Sequence, residues 1–293
     1  MKKYLGVWLF LSLFLAGCSN PWKKDDRLVV VSTIYPLKEI VDQIGGDKVR
    51  SEVLISPGSS EHTYEPKPSD IQKIVQADLV LVVGAGLDDW AKKIAEDSGV
   101  DQKKFIDVSQ WVELRKYPDS SEEKGKADPH YWLSPKKVQQ FFPKITEEMV
   151  KADPINKSVY EANSAGLAVD IQKIDEDMRN AIENFKSKDI VTFHEAFGYL
   201  TADYGLNIVG TIEPVSGSEP TAEQLQNIID QIKSLQIKAV FSEPQLSSKV
   251  VESIKTDLGI EIGILDPLGG IEGRNTYISL MKYNLFELKR FLQ

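Results

Sequence analysis

"DPINKSVYEANSAGLAVDIQKIDEDMRNAIENFK", residues Asp153 to Lys186, decides how the rest of the chain is organised. Leu167, Ile171, Ile174, Met178, Ile182 and Phe185 step along it by threes and fours. That spacing sets the apolar side chains on one stripe of a helix with polar residues around it. Asp153-Pro154 supplies an N-cap and a first-turn proline. One helix near thirty residues long within 153–187 would reach about 45 Å. A break at Gly166 is the competing reading, since glycine costs about 1 kcal/mol in a helix interior. The continuous helix is expected, acting as a stiff spine between whatever lies on its two sides.

On both sides the pattern is alternating β and α. Before the helix, "LVVVSTI" (28–34) reads as a strand buried on both faces, and "VRSEVLI" (49–55), "DLVLVVG" (78–84) and "FIDV" (105–108) are further apolar runs of strand length. Helical segments separate them, one carrying Ile40, Val41 and Ile44 up to Gly45-Gly46, another opened by "PSDIQKIVQA". After it, "DIVTF" (189–193), "LNIVGTI" (206–212), "KAVFS" (238–242) and "IEIGILD" (260–266) repeat the theme, with helices expected over Thr221–Leu235 and Ser247–Leu258. The expectation is an α/β protein of two lobes, 28–152 and 188–293, each a four-stranded, mostly parallel (β/α)4 unit, joined by the single long helix. The acidic stretch "YPDSSEEKGKAD" (117–128) has no apolar periodicity and reads as a solvated surface loop.

The first residues have another purpose. Lys2 and Lys3 precede an apolar run from Val7 to Ala16, the form of a secretory signal over residues 1–17 and too short for a membrane span. "LFLAGC" ends in Cys18, the chain's single cysteine, and resembles the bacterial lipobox whose cysteine is lipidated. Residues 18–27 would then tether a protein of about 275 residues to the outer face of the cell membrane. Losing Lys2 and Lys3 takes the net charge from −9 to −11, which argues against nucleic acid as a partner.

Three histidines occur in 293 residues, and all fall beyond strand carboxyl ends. His62 follows the second strand after a Pro57-Gly58 turn. His130 sits in "ADPHYWLSP", where Pro129 and Pro135 stiffen the segment and Trp132 and Leu133 are expected to anchor it in the first lobe. His194 stands where "DIVTF" ends. Open α/β sheets place ligands at such ends, and two facing lobes would bring all three imidazoles to one interlobe cleft. With Asp266 of "ILDPLGG" they would suit tetrahedral Zn²⁺. Each histidine can also be read as an ordinary turn residue, and Asp266 as the cap of its own turn. Other motifs fail on their spacing. "HEAFG" has Gly198 where a zinc-protease helix needs its second histidine, "GAG" at 84–86 lacks the third glycine of a dinucleotide fingerprint, and "GSS" and "SGS" form no nucleophile elbow.

"SSEHTYEPKPSDI", "ADPHYWLSP", "TFHEAFGYL", "EPVSGSEPTAEQL", "VFSEPQL" and "ILDPLG" resemble, in order and spacing, the metal-binding solute receptors of bacterial ABC transporters (cluster A-I, or cluster 9), in the zinc-uptake branch. The resemblance covers essentially the whole mature chain. It implies two α/β lobes joined by one helix, and a monomeric lipid-anchored receptor that delivers Zn²⁺ to a membrane permease and its cytoplasmic ATPase. It implies His62, His130 and His194 as ligands, with Asp266, Glu61 or water as the fourth. The manganese branch usually has glutamate at the position of His194, so a third imidazole favours Zn²⁺ over Mn²⁺. A long histidine-rich loop before the "DPH" motif is common in zinc receptors, whereas the loop here is short, acidic and histidine-free. Readings from other classes are a zinc hydrolase, with Glu61 or Glu195 as base, and a cell-adhesion protein with a structural metal.

Overall fold

A computed structural model describes residues 26–119, 121, 123–212, 221–234, 236–237, 239–245, 252, 254–257 and 259–293. The signal segment, Cys18, most of the tether, part of "EPVSGSEPTAEQL" and much of the helix expected over Ser247–Leu258 lie outside these residues. Among the described residues no helix is long and apolar enough to cross a membrane.

The first lobe is built on β1 (Leu28–Ser32), β2 (Val49–Val53), β3 (Leu79–Val82) and β4 (Phe105–Asp107), all parallel, in the order β2-β1-β3-β4. The second uses β5 (Asp189–Thr192), β6 (Asn207–Thr211), β7 (Val240–Ser242) and β8 (Ile262–Ile264), parallel again, in the equivalent order β6-β5-β7-β8. Parallel strands must be covered on both faces, which is why Val30, Val31, Val80 and Val82 are fully buried without polar alternation. Helices α1 (Tyr35–Gly45), α2 (Pro68–Gln76), α3 (Asp89–Asp97) and α4 (Pro135–Ala152) belong to the first lobe, and α1 stops where Gly46 turns the chain at φ 53°.

The spine is continuous. Residues Lys157–Glu183 form α5, 27 residues or about 40 Å long, preceded by a 3₁₀ turn at Pro154–Asn156. It therefore starts slightly later and ends slightly earlier than its apolar pattern suggested. Asp153 is the N-cap residue of that turn, with Pro154 in its first turn, and its carboxylate accepts from Asn156 Nδ2 and from the Tyr160 hydroxyl, each at 2.7 Å. Gly166 lies inside the helix on its exposed side and causes no break. Leu167, Ile171, Ile174, Met178 and Ile182 are the buried stripe. They pack against α1 and α4 in the first lobe and against α6 (Gly198–Tyr204) in the second. After α7 (Ala222–Ser234), the chain ends in α8 (Tyr277–Leu292), which also lies on α5 and is capped reciprocally by Thr276 and Ser279.

The lobes are also joined directly along the segment from Asp266 to Tyr277. The Tyr35 hydroxyl donates to the Asn275 carbonyl at 2.9 Å, and the Tyr277 amide donates to Glu39 Oε2 at 2.8 Å. The Trp132 indole donates to the Pro267 carbonyl at 2.8 Å, while the Tyr277 hydroxyl donates to the Trp132 carbonyl at 3.0 Å. Trp132 is thus an anchor into the second lobe, contrary to the first-lobe anchoring expected of it. Its neighbour Tyr131 holds the segment to the first lobe, donating to the Val83 carbonyl at 2.7 Å.

Candidate metal centre

The three histidines converge. His62 comes from the loop after β2, His130 from the turn before a 3₁₀ segment at Tyr131–Leu133, and His194 from the residue pair that follows β5. Their ring centroids lie 5.0, 5.1 and 5.3 Å apart. His62 Nε2 is 3.0 Å from His130 Nε2, and His194 Nε2 is 3.4 Å from the same atom. Glu61 Oε1 stands 3.9 Å from His62 Nε2 and 3.8 Å from His130 Nε2. Ligands about 2.0–2.1 Å from a tetrahedral zinc ion would be ~3.3 Å from each other; the separations of 3.0, 3.4, 3.8 and 3.9 Å bracket that figure. Among the described residues they form the one group of this kind, all donor atoms within 4.8 Å of one another.

Two carboxylates behind the ring decide which nitrogens face inward. His130 Nδ1 lies 2.9 Å from Asp128 Oδ1, and His194 Nδ1 lies 2.6 Å from Glu243 Oε1. A carboxylate accepts, so each Nδ1 carries a proton and each Nε2 is the nitrogen turned to the centre. Inward lone pairs at such separations repel unless a cation, either a metal ion or a proton, sits among them. Glu61 Oε1 is itself buried and has no hydrogen-bond partner among the described residues. Asp128 and Glu243 went unnoticed in the sequence, although "ADPHYWLSP" and "VFSEPQL" contain them. Their roles depend on contacts that spacing alone does not reveal.

Burial governs the electrostatics. His130 is fully buried and its imidazole is held well below its ordinary value by desolvation, then by the charge of His194. Burial and the other two histidines push His62 down to about 2. At His194 burial also pulls downward, but the Glu243 charge and hydrogen bond outweigh it and leave the group at about 9. Burial raises the Glu61 carboxyl to about 7 despite the opposing charge of His194, and raises Asp128 to about 7 despite the hydrogen bond from the His130 amide. The site therefore holds neutral imidazoles on the first-lobe side, and a proton on His194 that an incoming cation would displace.

Asp266 is placed differently. Its Oδ1 accepts from the amides of Leu268 and Gly269, each at 2.9 Å, and its Oδ2 lies 2.9 Å from Arg274 Nη1. It caps the "DPLGG" turn and stands outside the group of four, while Glu61 is inside it. The acidic loop is also more than a solvated face. Lys116 and Ala127 form an antiparallel bridge, the Ser121 hydroxyl donates to Glu195, and the Tyr117 hydroxyl lies 3.4 Å from His130 Nδ1. Tyr117, Glu123, Lys126 and Glu195 join His62 and His194 around a cavity of about 300 Å³ that opens onto the site. Gly198, where the zinc-protease pattern fails, is where Arg115 and Asp128 pack; a Cβ there would collide with the guanidinium.

These features agree with known proteins. A family model described as ZnuA, zinc-uptake complex component A, periplasmic, matches residues 30–291. The high-affinity zinc uptake system protein ZnuA of Bacillus subtilis (strain 168) is 32% identical over 314 residues, covering 98% of this chain and 97% of its own. The manganese-binding lipoprotein MntA of Halalkalibacterium halodurans is 29% identical, covering 97% of each chain. A crystal structure of ZnuA superimposes with a TM-score of 0.81 at 29% identity, over 92% of this chain and 100% of that one.

Proposed function

The chain belongs to the zinc-uptake complex component A family, and from that premise we propose that His62, His130, His194 and Glu61 hold Zn²⁺ as cargo. It is the zinc-binding, solute-capturing component of an ABC transporter. The observation that carries the ligand assignment is the convergence of these four donors from two lobes, with Asp128 and Glu243 fixing the tautomers behind them.

Three imidazoles and one carboxylate suit Zn²⁺ better than Mn²⁺, which prefers oxygen. Four protein donors fill a tetrahedron and leave no position for a reactive water, which supports capture without catalysis. Glu195, the conceivable base of a hydrolase, is engaged by Ser121. Binding exchanges a proton for the ion, because His194 must give up its Nε2 proton to become a ligand. Tyr117 and the loop around it flank the entrance, so local movement there admits the ion while α5 and the interlobe hydrogen bonds keep the lobes in register.

The protein acts as a monomer, lipidated at Cys18 on the outer face of the cell membrane, with 18–27 as its tether. The lobes are 28–152 and 188–293, with 153–187 as the linker, and a permease with its ATPase receives the ion. Titrating metal-stripped protein with Zn²⁺ against a competing chelator, and with Mn²⁺ in parallel, tests the reading. One tight zinc site, weakened at least tenfold by His130→Ala with an unchanged far-UV spectrum, is expected. Tighter Mn²⁺ than Zn²⁺ binding would defeat it.

A further inference from the structure

Besides Asp128 and Glu243, one more buried carboxylate lies near the cluster without joining it. Asp266 is 1% exposed, and its charge is close enough to help raise Glu61. One of its oxygens is committed to the Leu268 and Gly269 amides. The other, Oδ2, has no aligned hydrogen bond among the described residues; it is restrained by the charge of Arg274 at 2.9 Å.

Arg274 is in turn held in position. Its guanidinium lies over the Tyr283 ring, 4.2 Å from the centroid. Its backbone is fixed in a tight turn, with the Arg274 amide donating to the Ile271 carbonyl and the Gly270 amide donating to the Arg274 carbonyl, both at 2.9 Å. Arg274 Nε and Nη1 are buried and have no aligned acceptor among the described residues. An arginine in a structural ion pair ordinarily aligns its donors on the carboxylate. Here the contact is electrostatic, a restraint on where Asp266 points more than a well-made hydrogen bond.

We propose that Arg274 is a specificity-determining residue, which withholds the Asp266 carboxylate from the metal and so keeps the donor set at three nitrogens and one oxygen. Without the guanidinium, an unpaired buried carboxylate is costly and the nearest cation able to neutralise it is the bound metal. Asp266 then turns Oδ2 toward the ion, adding an oxygen donor and a negative charge. A fifth, hard ligand favours Mn²⁺ over Zn²⁺. The inference rests on the ligand assignment proposed above.

The test uses Co²⁺ as an optical probe, together with Zn²⁺ and Mn²⁺ competition, on the full mature chain. Four-coordinate Co²⁺ absorbs far more strongly in the visible than higher-coordinate Co²⁺. Wild-type protein and Asp266→Asn are expected to show the same strong spectrum and the same zinc affinity. Arg274→Met is expected to lose visible intensity and shift the Mn²⁺-to-Zn²⁺ affinity ratio toward Mn²⁺ by about tenfold or more. The Asp266→Asn/Arg274→Met double variant should return both readouts to wild type, which a merely structural role for Arg274 would not produce. A changed spectrum in Asp266→Asn alone would show Asp266 already bound to the ion and overturn the proposal. So would an Arg274→Met protein, folded by near-UV spectrum, with wild-type spectrum and selectivity. If Arg274→Met does not fold, Asp266→Asn and a milder Arg274→Gln decide on the same two readouts. A wild-type chain that takes up neither Zn²⁺ nor Co²⁺ would instead defeat the ligand assignment itself.

Discussion

The indole nitrogen of Trp132 donates to the Pro267 carbonyl at 2.8 Å, so a residue two positions from a first-lobe histidine is fastened to the second lobe. The same ring packs 5.3 Å from the His130 imidazole. Replacing Trp132 by Phe keeps most of the packing but orphans a buried carbonyl, which costs about 1–3 kcal/mol. The denaturant midpoint is expected to fall accordingly. A midpoint equal to wild type would mean the interlobe bond adds no stability.

Asp128 and Glu243 touch imidazoles and not the proposed ion position. Asp128→Asn and Glu243→Gln remove a charge while keeping the shape. Zinc affinity is expected to drop about 10–100-fold in each, with the far-UV spectrum unchanged. Chelator competition measures it; undiminished affinity in both variants would leave the tautomers to be set by other means.

Acid opposes binding, and the sign follows from which groups carry protons before the ion arrives. His194, at about 9, is protonated across the neutral range, and Glu61, at about 7, takes up a proton as the pH falls through that value. His62, at about 2, contributes none. Affinity should therefore rise with pH, by about tenfold per unit between pH 7 and 9, and should fall more steeply below 7. Calorimetry in buffers of different ionisation enthalpy counts the protons directly. One proton per zinc at pH 6, where two are expected, would remove Glu61 from the ligand set.

Stripping the metal should leave the protein folded. The apolar core runs from the first sheet through α5 to the second without needing an ion. Far-UV and near-UV spectra are expected to survive chelation, and zinc at 100 times its dissociation constant should add about 2.7 kcal/mol of stability. Collapse of the spectra on chelation would favour a structural metal, as in the adhesion reading.

Much of this was legible in the sequence because it is local or periodic. The β-branched runs mark the strands, the three-and-four spacing from Leu167 to Ile182 marks the spine, and the histidines sit where parallel strands end. What was not legible depends on contacts between distant segments. His194 meets Glu243 across 49 positions, and Trp132 meets Pro267 across 135. The competition for Asp266 between a turn, Arg274 and a metal is a matter of orientation, which residue type alone cannot decide. Glu61 against Asp266 was open for that reason. The acidic loop looked solvated because its buried members, Ser121 and Asp128, are too few to make a period.

The single stripe that α5 presents to both lobes also means that neither half of the polypeptide is self-sufficient. Severed after Glu183, the first half would carry Ile174, Met178 and Ile182 uncovered, and the second would keep matching bare faces on α6 and α8. Such fragments would be poorly soluble apart, yet each would be the other's missing surface. The chain has two lobes to a viewer and one indivisible interior to the solvent, so a split version of it would report the reunion of its halves through the recovery of metal binding.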